Sequence, residues 1–425
     1  MILADWLTLG EIGFGALAIT PILIQDKLNR RWIKRNELPK RPLVVDEELP
    51  MITVIICVLN EEKVIAGKLS NLAICNYPRN KMEVLVIDTG SSDQTMYIVE
   101  DWIEKAPEFG RLVRLLSTTT VAGKSAAVNL GLAESHIDSE VIILTDADSR
   151  LAENSLKKIT SWFANPEIGA VCGHQQPIDY DGKIMENPDS YRDYYNRARD
   201  AESRIDSTPI FEGSLAAYRR KLVNSGVIAD SNADDSQLAL EARRQGLRTI
   251  HDSDLIFYEA TPYSALAIHT QKTRRAQGLV RHLWRNSDLM FNNKLGIAMM
   301  ITIRSLFLIH VITPFLFVSS IACSLGLLLT LILGFPTTPL SFTFSIINSF
   351  LLIYAVIQYY LYLIAKTPTE KRRRFSSSLI SYVHSMFVLV WVHVRISIGL
   401  KSHIWKPIKE IRDSIVLYDK SKMKK

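Results

Sequence analysis

Several acidic clusters in this 425-residue chain stand where chemistry on a phosphorylated ligand would need them. Asp146-Ala147-Asp148 follows the apolar run Val141-Ile142-Ile143-Leu144. Two carboxylates one residue apart can bind a hard divalent cation, which in turn neutralises a diphosphate; Mg²⁺ characteristically takes one or two carboxylates and completes its shell with phosphate oxygens and water. The plain alternative is a solvated pair of turn acids, and the place at a strand's end favours the cation. Asp88 follows Val84-Leu85-Val86-Ile87 and opens a Gly-Ser-Ser-Asp turn, where its carboxylate can accept from a base or ribose. Capping of the next helix falls more naturally to Asp93. Gly123-Lys124-Ser125 is not a Walker loop, because position 118 is threonine where that loop requires glycine. Lys124 still suits a phosphate or a pairing with Asp88; a solvated lysine is the alternative. Asp234-Asp235 precedes a helix-like stretch at residues 238–245. Such a pair either favours the helix macrodipole or, in a site rich in acid, raises one pKa and supplies a general base. Gln271, Arg274 and Arg275 open an amphipathic stretch, where planar guanidinium forks suit a leaving diphosphate and an exposed charged stripe is the alternative.

The elements that must position these groups are legible from pattern. Residues 52–59, 83–88 and 141–145 are short runs rich in Val and Ile, and helix-like stretches at 61–72, 93–104 and 125–135 separate or follow them. Wholly apolar strands alternating with helices predict a parallel sheet covered on both faces, whose ligands gather at the strands' carboxyl ends. Each of the three strands runs into acid: Asn60-Glu61-Glu62, Asp88 and Asp146-Ala147-Asp148.

Composition adds a membrane. Residues 305–365 contain no Asp, Glu, Lys or Arg, room for two crossings and a turn, since one spanning helix takes about 20 apolar residues. Residues 6–24 predict a first membrane helix and residues 376–394 a third apolar segment near the other end. The net charge of +6 is concentrated beside these segments. Residues 26–41 hold seven Lys/Arg against two acids and residues 366–374 five against one, the distribution of cytoplasmic flanks. No nucleic-acid motif accompanies the basic charge, so nucleic acid is not expected as a partner. The four cysteines show no pairing motif and are expected as free thiols. On a helical wheel of residues 270–292, Ala276, Leu279, Val280 and Leu283 share one side, opposite Arg274, Arg281 and Arg285, as in a helix lying in a membrane interface. The expected organisation is a transmembrane helix with its basic flank (1–41), a cytosolic domain (42–268), an amphipathic interface helix (269–298), a transmembrane region (299–400) and a basic tail (401–425). With the tail inside, residues 376–394 would enter the membrane and line a path there without crossing completely.

Taken in order, Val58-Leu59-Asn60-Glu61, Asp88-Thr89-Gly90-Ser91, Gly123-Lys124, Asp146-Ala147-Asp148, Phe211-Glu212-Gly213-Ser214, Asp234-Asp235 and Gln271 through Arg275 resemble the membrane-integrated family 2 glycosyltransferases, which include cellulose, hyaluronan and poly-N-acetylglucosamine synthases. The resemblance implies a GT-A-like α/β domain with a mostly parallel sheet between membrane helices. It implies inverting transfer from a nucleoside-diphosphate sugar, most simply a UDP-sugar, to a saccharide or lipid acceptor at the cell membrane. It would place Glu61, Asp88, Lys124 and Asp146 at the nucleotide sugar, with Gln271, Arg274 and Arg275 closing over its diphosphate. Asp146 and Asp148 would hold Mg²⁺ or Mn²⁺, Asp235 would be the base, and Phe211, Glu212, Gly213 and Ser214 would line the acceptor site. Two departures stand out: Arg275 occupies the position where processive members carry tryptophan, and Asp88-Thr89 replaces a diaspartate. The first favours single transfer to a polyprenyl phosphate or other lipid over polymerisation. A non-catalytic membrane subunit that binds nucleotide sugar is the alternative from another class, against which Asp148 and Asp235 speak.

Overall fold

Strand-forming apolar runs become one eight-stranded mixed sheet in the computed structural model, which describes residues 2–423 except 119–122, 186–189, 229–230, 366–377 and 401–406. The strands are β1 (Ile52–Val58), β2 (Met82–Asp88), β3 (Val113–Ser117), β4 (Val141–Leu144), β5 (Ser149–Leu151), β6 (Ile168–Ile178), β7 (Ala216–Arg219) and β8 (Arg248–Ala260). Their order is β3-β2-β1-β4-β7-β6-β8-β5. The pairs β1·β2, β1·β4, β2·β3 and β6·β8 are parallel, whereas β7 runs antiparallel to both of its neighbours and β5 is antiparallel to β8.

Every residue of β1, β2 and β4 is buried. Alternate side chains enter different cores, because successive Cβ atoms point to opposite faces. Val54, Ile56, Val58, Val84, Val86 and Ile143 pack with Ile65, Leu69 and Leu72 of helix α1 (Ile65–Ile74). Ile55, Cys57, Leu85, Ile87, Ile142 and Leu144 pack with Ala127 and Val128 of α2 (Lys124–Glu134) and with Leu238, Ala239 and Ala242 of α3 (Asp234–Arg244). At about 1.5–3 kcal/mol for each fully buried Val, Ile or Leu, these two layers make the strand assignment much stronger than local propensity could. Thr53, the one polar residue of β1, is satisfied by Glu83 Oε2 at 3.0 Å and Ser139 Oγ at 2.6 Å.

The chain divides into two units. The sheet unit comprises Asn29–Pro262, Trp284–Met300 and Lys401–Lys425. It therefore includes the C-terminal helix α4 (Lys409–Met423), whose Ile411, Ile415 and Tyr418 join the same core as β1. The basic loop 366–374 and Trp405 with Lys406 of the tail lie outside the described residues.

The membrane unit comprises Met1–Leu28, Tyr263–Leu283 and Ile301–Leu400. Among the described residues three helices are long and apolar enough to cross a membrane: Leu3–Arg35, Ile297–Ile332 and Pro339–Tyr362. Side-chain hydrogen bonds to two carboxylates of the first helix stitch them together. Asn348 Nδ2 donates to Glu11 Oε2 at 3.0 Å, and Thr338 Oγ1 donates to Asp5 Oδ1 at 2.7 Å. Helix Ser378–Ser397 is not among the three. Its Met386, Val388, Leu389 and Val392 form a buried cluster with Val280 and Ala276 of helix Ala265–Arg285, so the apolar face expected to meet lipid is covered there by protein. Lys272 Nζ donates to Ser381 Oγ and Ser385 Oγ at 2.8 and 3.0 Å, and His269 Nδ1 lies 3.1 Å from His384 Nε2.

Because helix α4 belongs to the sheet unit, the chain between that unit and its tail must cross the membrane an even number of times. Helices Ile297–Ile332 and Pro339–Tyr362 are long and apolar enough to supply two crossings. Cysteines introduced at the exposed positions Glu104, Pro336 and Ser421 test this. With Cys323 replaced by serine and the other native thiols buried, an impermeant reagent applied to sealed vesicles should treat positions 104 and 421 alike and position 336 oppositely. Opposite labelling at 104 and 421 would require an odd number of crossings.

Candidate active site

Parallel pairing of β1 with β2 and β4 brings three carboxyl ends to one edge of the sheet. The turns that leave these ends carry the polar side chains. After β1 the chain turns through Asn60, which holds a left-handed backbone (φ 55°) that asparagine tolerates better than most residues. Its Oδ1 accepts from Ser92 N at 2.8 Å, and Ser91 Oγ accepts from its N–H at 2.9 Å, which locks this turn against the one after β2. Asp88, at the end of β2, accepts from the N–H groups of Gly90 and Ser91 at 2.9 and 3.1 Å. Those bonds organise its turn; Asp93 accepts from Thr95 N at 3.0 Å just ahead of the next helix, whose N-cap residue is Gln94, without a side-chain cap.

After β4, Asp146 Oδ1 lies 2.6 Å from Lys124 Nζ, and its Oδ2 accepts from Ser214 Oγ at 3.0 Å. Lys124 thus pairs with Asp146, not with Asp88. Asp148 is buried, with Oδ2 2.8 Å from a guanidinium nitrogen of Arg412. Lys68, fully buried on α1, holds the loop from beneath by donating to Thr145 Oγ1 at 2.7 Å and Ser149 Oγ at 3.0 Å. Burial, reinforced by Arg150, pushes its ammonium down to about 7.

Glu61 meets Arg412. The resemblance puts it at the nucleotide, but it is fully buried and both of its carboxylate oxygens accept from Arg412, Oε2 at 2.9 Å from Nε and Oε1 from Nη2. Its role is to fix Arg412.

The antiparallel run of β7 completes the edge. Ala216 pairs with Leu144, so the segment leading into β7 arrives beside the carboxyl end of β4. Phe211 and Ser214 in that segment are buried, and Ser214 Oγ also lies 3.2 Å from Glu259 Oε2. The Ser214 carbonyl accepts from Thr145 Oγ1 at 2.7 Å. Glu212 pairs with Arg199 of helix Ser190–Ile205, and Phe211 N donates to Ser236 Oγ at 3.1 Å. Gly213 stands against the base candidate, since a Cβ there would lie 3.0 Å from Asp235 Oδ2.

The two adjacent acids of α3 separate by environment. Asp234 is buried and accepts from Ser125 Oγ at 2.6 Å; burial raises its pKa. Asp235 is half-buried, its Oδ1 accepts from Ser236 N at 2.7 Å, and burial pushes it up to about 6 despite the opposing charge of Lys124. A carboxylate reachable from outside with a pKa near working pH has the properties a general base needs. Gln271, Arg274 and Arg275 lie on helix Ala265–Arg285 of the membrane unit, where Gln271 is buried and Arg275 exposed.

Asp146 and Asp148 fit a hard divalent cation in ligand type. Among the described residues no group of three or more His, Cys, Asp and Glu converges to cage one. Such an ion would complete its shell from a diphosphate and water, which is how Mg²⁺ is usually held.

Comparison with known proteins decides the family. Residues 53–226 match the model for glycosyl transferase family 2, and residues 141–365, more than half of the chain, match that for glycosyl transferase family group 2. The chain belongs to the family 2 glycosyltransferases. It is 26% identical over 319 residues to a beta-monoglucosyldiacylglycerol synthase of Nostoc sp., covering 72% of this chain and 65% of that protein. A poly-beta-1,6-N-acetyl-D-glucosamine synthase of Staphylococcus aureus is 23% identical over 250 residues, 57% of this chain and 58% of the relative. The chain thus spans less than two thirds of the length of these relatives. Among solved structures, a mannosyltransferase of Pyrobaculum calidifontis, in complex with GDP-Man and Mn²⁺, superposes with a TM-score of 0.72 at 26% identity over 92% of this chain and 98% of that one. The sheet is accordingly that of a GT-A-like glycosyltransferase.

The Gly213 contact gives a direct test. Gly213→Ala leaves the backbone unstrained but forces the Asp235 carboxylate to yield by a few tenths of an ångström. Transfer should fall roughly ten-fold or more, because small displacements of reacting groups are costly in rate, with the melting temperature nearly unchanged. Wild-type turnover in this variant would detach Gly213 from the base.

Proposed function

We propose that this glycosyltransferase moves one sugar, with inversion, from a nucleoside-diphosphate donor, most simply a UDP-sugar, to a lipid acceptor held at the cell membrane. The observation that carries this is the meeting, at one sheet edge, of the Asp146-Ala147-Asp148 loop with the half-buried, pKa-raised Asp235. Asp88 would face the base and ribose. Lys124, already beside Asp146, would neutralise phosphate oxygens, and the resemblance assigns the same work to Gln271, Arg274 and Arg275. Phe211, Glu212, Gly213 and Ser214 would shape the acceptor side. Mg²⁺ or Mn²⁺ held by Asp146 and Asp148 would supply further neutralisation of the departing diphosphate. Asp235 takes the acceptor hydroxyl's proton as that oxygen bonds the anomeric carbon; the bond from this carbon to the diphosphate oxygen breaks, with inversion.

Single transfer is preferred over polymerisation on Arg275, which stands where processive members carry an aromatic platform, and a lipid-modifying relative is among those matched. The basic flank of the first helix supports a cytoplasmic sheet unit in the cell membrane.

A donor screen on purified protein with Mg²⁺ and Mn²⁺, read by product mass, should give lipid bearing one added sugar; a ladder of long products would refute single transfer. Asp235→Asn should retain donor affinity and lose transfer by about 10²–10⁴-fold. Equal collapse of donor affinity would make Asp235 a binding group instead. The base works as the carboxylate, so the wild-type rate should rise with pH through about 6 and then level off. Lys124 favours that ionised form, so Lys124→Ala, measured at saturating donor, should move the rising limb to higher pH.

A further inference from the structure

The C-terminal helix α4 reaches the diaspartate loop, and its fit to the sheet unit is built on both sides. Ile411, Ile415 and Tyr418 sit in the main core, and Tyr418 stacks on Tyr258 at 5.6 Å between ring centroids. The receiving surface is cut to the helix. A Cβ on Gly67 would lie 2.4 Å from Asp419 Oδ2, and one on Gly182, at φ +76°, would lie 2.5 Å from the backbone N of Tyr418. Two guanidiniums link the helix to the loop. Arg150 bonds Asp419 at 2.7 and 2.9 Å and also donates to the Ala147 carbonyl at 2.9 Å. Arg412, itself buried, spans Glu61 and Asp148. One oxygen of Asp148 is therefore oriented by a side chain that is in turn held by a fully buried carboxylate.

We propose that Arg412 is a positioning residue of the donor site: by fixing Asp148 against Glu61 it sets the affinity of the diaspartate loop for its divalent cation. This rests on the assignment of Asp146 and Asp148 as metal ligands. Partners that orient a ligating carboxylate typically change metal affinity by about 10–100-fold when removed. Charge and geometry separate cleanly here. In formal charge Glu61, Arg412 and Asp148 sum to one negative, and replacing Glu61 by Gln with Arg412 by Met removes one formal charge of each sign, leaving that sum as it was. Any change in cation binding in the double variant then reports orientation.

The test uses the full chain in lipid nanodiscs, with Mn²⁺ alone as the probe and bound metal read from the loss of the free-ion electron paramagnetic resonance signal. The variants are Arg412→Lys, the pair Glu61→Gln with Arg412→Met, Asp148→Asn, and Lys409→Ala as an exposed control on the same helix. Arg412→Lys keeps the charge and loses the fork. We expect Mn²⁺ affinity about ten-fold or more weaker in Arg412→Lys and in the double variant, lost in Asp148→Asn, and unchanged in Lys409→Ala. Wild-type or tighter affinity in the double variant, with Asp148→Asn still deficient, overturns the role of Arg412 while leaving the metal assignment intact. Unchanged binding in Asp148→Asn overturns the metal assignment itself. Hydrogen exchange across residues 409–423 confirms that each variant keeps its helix docked; a double variant that undocks while Arg412→Lys binds Mn²⁺ normally also overturns the proposal.

Discussion

Carboxylates crowded at the end of a single sheet are the constraint around which the rest of the sheet unit is arranged. Like charges in a partly desolvated site cannot all stay ionised unless cations or hydrogen-bond donors stand among them. Asp146 has Lys124 and Ser214, Asp148 and Glu61 share Arg412, Asp88 has two backbone N–H groups, and Asp234 has Ser125. Asp235 has the Ser236 N–H. Burial lifts Glu61, Asp234 and Asp235 above the usual carboxylate range, and of these three only Asp235 is not closed off by burial.

Sheet topology does the gathering. Three parallel strands alone would deliver Glu61, Asp88 and the diaspartate loop. Residues 211–214, with Gly213 against Asp235, come from later in the chain, and they reach the same edge because β7 runs against β4 and so begins where β4 ends. Reversal of one strand therefore brings residues from the second half of the domain to the edge that the first half begins.

Much of this is legible in the residues. β1, β2 and β4 match their Val/Ile runs to within about a residue, because strands buried on both faces need continuous apolar sequence. Lys68 also carries a signal: it stands among Ile65, Leu69 and Leu72 at helical spacing, a lysine on an otherwise apolar stripe. The place of Glu61 is not legible, because nothing local distinguishes an acid that meets a ligand from one that meets an arginine 351 positions away. Nor does the tail's surplus of lysine and arginine identify Arg412, since a charge count reports where a segment lies and not what one side chain bonds. The apolar side of helix Ala265–Arg285 is visible as a stripe, whereas its covering by Met386, Leu389 and Val392 depends on a helix about a hundred residues later.

That long separation also sets an order of events during synthesis. Translation at about 5–20 residues per second places Arg412 at the ribosome roughly 20–70 s after Glu61. Throughout that interval the sheet can form, yet two of its carboxylates wait for their shared cation while the membrane helices between are made and inserted. A nascent chain thus acquires the last charged side chain of its diaspartate edge only after it has been anchored, so anchorage precedes maturation of the site.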